Sequence, residues 1–216
     1  MPRHKTPLIL AATVAALAGC AAMAPKPDYD ALTAQMMTSS FRDQGIAKVD
    51  RLQQDLANAA CSKAESGSPP DEVVAAIQQA ALKSVPMPAD GQFIGDWREG
   101  EKLAQNGRGM TWTDRSADPA ANGGNCYNCH RISASEISHG TIGPSLHHYG
   151  KNRGVADPAS ATARPIVEYT WIKLWNAKAF NACSGMPRFG AAHLLDEAQL
   201  KNLMALLLDP RSSVNQ

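Results

Sequence analysis

The sequence predicts an all-α fold, and three observations carry the prediction. Apolar residues recur at helical spacing in several segments, cap residues stand where those segments begin, and no stretch alternates convincingly like a strand. The 216 residues are 44% hydrophobic and 19% charged, enough for one domain of ordinary size plus an extension.

The chain opens on "MPRHK", a basic n-region, and "PLILAATVAALAG", an apolar stretch of signal-peptide length. The residues "LAGC" at 17–20 match a bacterial lipobox, in which Cys20 becomes the acylated first residue. Ordinary cleavage nearby, with Cys20 removed, is the alternative. Either way the protein is expected to be exported to the periplasm, with or without an acyl tether to the membrane. Three regions are expected: a leader over 1–20, a linker with a helical-hairpin extension over 21–91, and the main domain over 92–216.

In the extension, Ile46, Val49, Leu52, Leu56 and Ala60 form one stripe, which predicts a single helix. "ESGSPPDE" breaks it. A second helix follows with Pro70 near its first turn and a stripe of Val73, Val74, Ile77, Ala81 and Val85. "PMPADG" at 86–91 ends the hairpin. "ALTAQMMTSSF" carries no clear pattern. In the main domain a helix is expected from Asp96, stopped by Gly107 and Gly109. A polar loop spans 110–124. A helix is expected over 165–180, "PIVEYTWIKLWNAKAF". The last helix begins at Asp196, with Gln199 as its capping-box partner, and Pro210 lies just past its end.

The formal net charge is +1. Loss of Arg3 and Lys5 with the leader takes the basic residues from 21 to 19 against 20 acidic ones. No nucleic-acid partner and no polybasic membrane contact is implied. No apolar run approaches the roughly 18–20 residues of a membrane span.

There are 5 cysteines. With Cys20 acylated or removed, Cys126 and Cys129 form one pair, leaving Cys61 and Cys183. In an oxidising compartment those two are expected to join in a disulfide, with two free thiols as the alternative.

"GGNCYNCHRI" at 123–132 contains Cys-x-x-Cys-His, the c-type haem attachment signature. Thiols at Cys126 and Cys129 lie on one side of a turn and can form thioethers with two vinyl groups of one porphyrin. His130 then brings its imidazole to the iron as an axial ligand. A structural zinc site would want a second Cys/His pair at finger-like spacing, and His139, His147 and His148 do not supply one. A redox dithiol would want a βαβ pattern. For the second axial position the candidates are Met110, Met186 and Met204. Met204 lies within a helix and Met110 in a polar loop. Met186, in the tight loop "CSGMPRFG", is the expected ligand.

The order of these elements resembles a class I cytochrome c: a helix, Cys-x-x-Cys-His, a Gly-Pro loop, a methionine loop and a terminal helix. By that resemblance Pro144 in "GTIGPSLHHYG" presents its carbonyl to His130 Nδ1–H. Taken together, "NCYNCHRI", "GTIGPSLHHYG", "CSGMPRFG" and "MALLLDPRSSVNQ" are similar to the SoxX family over roughly residues 92–216. Its members are the small mono-haem cytochrome subunits of the SoxAX complex of bacterial sulfur oxidation. The 44–85 extension and the 110–124 loop depart from the pattern. The resemblance implies an electron-transfer subunit, not catalytic alone, in an enzyme that joins thiosulfate oxidatively to a cysteine of a SoxY-type carrier. A SoxA-like cytochrome would hold the catalytic haem, and a downstream cytochrome would take the electrons. A stand-alone periplasmic electron carrier, and a haem sensor with an open axial site, are the alternatives. Tyr149 and Trp175 are candidates to flank the haem.

Overall fold

The computed structural model of the chain describes residues 26–64, 67–109, 111–134 and 136–216. The leader with Cys20, and Met110, lie outside the described residues. The chain is helical. Among the described residues the only extended pairing is an isolated bridge between Gln44 and Ala47. None of the described helices is long and apolar enough to cross a membrane.

Two units are distinguished, one ending at Arg42 and one spanning Asp43–Gln216. The first contains α1 (Tyr29–Ser40), started by Asp28, whose side chain accepts from Ala31 N–H at 2.9 Å. This helix buries none of its residues, so its sequence carries no apolar stripe to read.

Everything else belongs to the second unit, and the boundary expected near residue 91 falls inside it. The single helix predicted from Ile46 is broken. Val49–Leu52 makes one 3₁₀ turn, Gln53 is extended, and α2 (Leu56–Lys63) starts afresh at Asp55. Asp55 Oδ1 accepts from Asn58 N–H at 2.8 Å, an N-cap that an aspartate makes better than it serves a helix interior. Leu56, counted in the stripe, is 92% exposed, so continuing the helix would have buried nothing there. α3 (Asp71–Lys83) begins after Pro70 as expected and buries Ala81.

The core is built by α4 (Trp97–Gln105), α5 (Arg164–Trp175) and α6 (Glu197–Leu208). Asp196 and Gln199 form the predicted capping box, with bonds of 2.8 and 2.9 Å. Leu200, Leu203, Met204, Leu206 and Leu208 of α6 are all buried. From Leu203 to Leu208 the helix is apolar all round and is covered all round. α4 crosses it at Gly100, where a Cβ would lie 2.1 Å from the Asn202 carbonyl oxygen. Gly95 N–H donates to Lys201 O at 2.9 Å and Asp96 N–H to Asn202 Oδ1 at 2.8 Å, fixing the register of the crossing. Gly100→Ala will therefore destabilise the fold by about 1–3 kcal/mol, although alanine is the better helix former. A lowered urea midpoint at unchanged slope checks this; an unchanged midpoint would place the crossing elsewhere.

α5 ends at Trp175, five residues before its predicted end. Asn176 adopts φ −148° and ψ 95° and caps a short 3₁₀ turn, Ala177–Ala179, through its side chain. Trp171 is fully buried, edge-on to Phe93 at 5.6 Å, and its indole N–H donates to Pro86 O at 2.8 Å. Lys201 Nζ meets Asp90 at 3.0 Å. The stretch "PMPADG" is thus a seam sewn onto the core. The C-terminal tail is sewn in as well: Asn215 Nδ2 donates to Leu207 O and Asp209 O, and its Oδ1 accepts from Gly150 N–H.

Candidate functional site

The Cys-x-x-Cys-His turn lies back against the C-terminal end of α4. Gly124 N–H donates to Leu103 O at 2.8 Å and Asn125 N–H to Asn106 O at 3.1 Å, tying the approach to the end of that helix. Asn125 takes a left-handed conformation, φ 49°, which asparagine tolerates better than most residues. The chain then turns through a 3₁₀ segment, Cys126–Asn128, and both Cys129 N–H and His130 N–H donate to Cys126 O, at 3.1 and 2.9 Å. Cys126, Cys129 and His130 are thereby gathered on one turn.

A second loop lies alongside. Gly140 N–H donates to Tyr127 O, Gly143 N–H to Cys129 O, and Leu146 N–H to Arg131 O, at 2.8, 2.8 and 2.7 Å. This pairing brings the Pro144 carbonyl 2.6 Å from His130 Nδ1. It also presses Gly143 against the imidazole, where a Cβ would sit 2.2 Å from Cε1. With Nδ1 engaged by a carbonyl acceptor, the ring carries its proton there and leaves Nε2 as the basic nitrogen.

Cys126 and Cys129 are free thiols, and Cys126 packs against the core. Burial, with a smaller contribution from Cys129, pushes the Cys126 thiol up to about 12. A thiol that keeps its proton at neutral pH is a poor redox nucleophile.

Met186 is half-buried and packs against the same core cluster as Cys126; its N–H donates to Ser184 Oγ at 3.2 Å. Met204 is fully buried within α6. Cys61 and Cys183 are joined in a disulfide that closes 122 residues of separation, with Cα atoms 5.6 Å apart. Such a closure contributes about 2–4 kcal/mol. It also removes any reactive-thiol role for Cys183. Tyr149 is 6% exposed, and its hydroxyl lies 3.0 Å from Thr170 Oγ1, a core position. Trp175 is tilted against Trp171 at 5.5 Å. His147 and His148 stack on each other at 3.7 Å, and His148 Nε2 lies 2.6 Å from the Gln216 carbonyl.

Sequence reasoning missed the polar groups around the methionine loop. Arg188 Nη2 lies 2.7 Å from Asp55 Oδ2, and the buried Lys178 donates through Nζ to Ala182 O at 2.8 Å. Burial opposes ionisation of Asp55, but the Asn58 N–H and the Arg188 guanidinium outweigh it and hold the carboxyl below its ordinary value. Burial, and then Arg188, lower Lys178. Nothing in the sequence pairs position 55 with position 188.

Fold and site together define an all-helical protein with one Cys-x-x-Cys-His turn, a histidine held by a proline carbonyl, and one long-range disulfide. No family model matches the chain. It is 34% identical over 167 residues, 76% of this chain and 73% of the other, to an uncharacterized lipoprotein of Aquifex aeolicus (strain VF5), and it belongs to the family of that protein.

Proposed function

We propose that the protein is a mono-haem c-type cytochrome that carries electrons in the periplasm, as the SoxX-like subunit of a thiosulfate-oxidising complex. The observation that carries the reading is the 2.6 Å contact between His130 Nδ1 and the Pro144 carbonyl, one residue beyond a pair of free thiols. A metal-ligating histidine characteristically commits its other ring nitrogen in this way.

The residues present fit a covalently held haem. Cys126 and Cys129 would bind it through thioethers, His130 through Nε2, and Met186 through its thioether. Gly143 lets its loop lie against the imidazole, where any side chain would collide with the ring and turn it. When bound, haem supplies a one-electron Fe(III)/Fe(II) couple. The chain's own work is to hold that couple steady. Pro144 fixes the orientation and tautomer of the ring, and Met186 would favour the reduced state. With His130 and Met186 both engaged by the haem, the chain would offer thiosulfate no ligand position. The thiosulfate chemistry then belongs to a SoxA-like partner acting on a SoxY-type carrier, and electrons leave to a downstream cytochrome. The relative's description as a lipoprotein supports export with an acyl group at Cys20, which lies outside the described residues.

The wild-type protein, purified from a host that matures c-type cytochromes, should carry one haem that survives denaturing electrophoresis and stains for peroxidase activity. Haem that acid acetone extracts, or no haem at all, would overturn the reading. Co-purification with a di-haem or mono-haem cytochrome encoded beside it would support the complex, and a lone monomer at native expression would leave a free carrier.

A further inference from the structure

We propose that Asp55 is a positioning residue for Met186, acting from the segment before residue 91 as the fixed point of an electrostatic clamp on the methionine loop. The inference rests on the His/Met reading given above and adds the part of the fold that enforces it.

Residues 182–188 carry Met186 between two anchor points. On one side, Lys178 Nζ binds the Ala182 carbonyl at 2.8 Å, and Cys183 is bonded to Cys61. On the other, Arg188 reaches Asp55 at 2.7 Å. Cys61 lies on α2, and Asp55 is the N-cap of that same helix. The loop is therefore held at positions 183 and 188 by a single short helix, with Met186 between them. Asp55 divides its two oxygens. Oδ1 accepts from Asn58 N–H at 2.8 Å and starts α2, while Oδ2 faces Arg188. It also attracts Lys178, so one carboxylate balances both cations that flank the loop. The pair is partly shielded, with side-chain exposures of 32% for Arg188 and 39% for Asp55. That places its strength near the upper end for such pairs. The extension thus contributes more than stability: it narrows the positions the methionine loop can take.

The division of oxygens supplies the test. Asp55→Asn keeps an oxygen for the cap, since asparagine caps as well as aspartate, but turns an amide N–H toward the guanidinium. Imidazole added to the oxidised haem-loaded protein binds only when Met186 has moved away. Its apparent affinity therefore rises in proportion to the open population. Asp55→Asn should tighten imidazole binding about fivefold, the effect of losing one partly shielded ion pair. Arg188→Gln should do the same, the double variant should add little, and Arg188→Lys should recover most of the wild-type affinity. Helical circular dichroism should stay unchanged throughout. Met186→Ala, measured alongside, separates the two claims. If it fails to tighten imidazole binding, Met186 is not the ligand and the underlying reading falls. If it tightens binding while Asp55→Asn and Arg188→Gln leave it within twofold of wild type, the clamp falls and the ligand stands.

Discussion

Replacing Cys126 and Cys129 together with alanine will leave the purified protein without covalently bound haem: staining after denaturing electrophoresis should fall more than tenfold. In the proposed reading each thiol would supply one thioether, and the two stand at the start and the C-cap of one 3₁₀ turn. Either single variant keeps one bond and should retain a reduced, weakened stain. Loss of the Cys126 side chain opens a small gap against the core, at roughly 1 kcal/mol, so the double variant should still fold. Helical circular dichroism provides the control. Haem that remains fixed in the double variant would sink the attachment claim, since no other free cysteine exists among the described residues.

Met186→Ala should lower the reduction potential by on the order of 0.1–0.3 V, within the roughly 0.8 V that axial ligation spans. A soft thioether favours Fe(II), and the water that would replace it does not. At about 2.3 kcal/mol per 0.1 V for one electron, electron acceptance from a catalytic partner becomes uphill. If the chain is the electron-accepting subunit proposed above, thiosulfate turnover by the assembled complex should slow as well. The weak red-region band of Fe–thioether ligation should vanish, and carbon monoxide should bind the reduced variant. If Met186→Ala changes nothing and Met110→Ala alters both band and potential, the wrong methionine has been assigned.

Elements whose signals are local could be read from the sequence. The box at Asp196 and Gln199, the cap at Asp96 and the proline before α3 each act within one turn, so the residues that start the helix stand beside one another. The break at Gln53 could not be read, because the stripe from Ile46 to Ala60 satisfies the helical period whether or not anything covers it. Only burial decides, and Leu56 is left in solvent. The early end of α5 has the same origin: Asn176 turns the chain so that its side chain can bond Lys178 N–H, a choice set by what α3 packs against. In the site, the thiols and His130 announce themselves by spacing. Asp55 and Arg188 do not, since a pair formed across more than a hundred residues leaves no mark at either end.

The disulfide has a bearing on how the protein is made. The loop it closes, between cysteines 122 positions apart, encloses Cys126, Cys129 and His130. In a newly exported, unfolded chain, Cys126 and Cys129 meet far more often than Cys61 and Cys183, because closing a short loop costs less entropy than closing a long one. An oxidising compartment acting on that chain would therefore first make the bond that blocks both attachment thiols. The folded pairing demands the reverse order of preference. If Cys126 and Cys129 do hold haem, biogenesis would have to supply electrons to that pair of sulfurs while withdrawing them from Cys61 and Cys183, the pair that the fold brings together across the long separation.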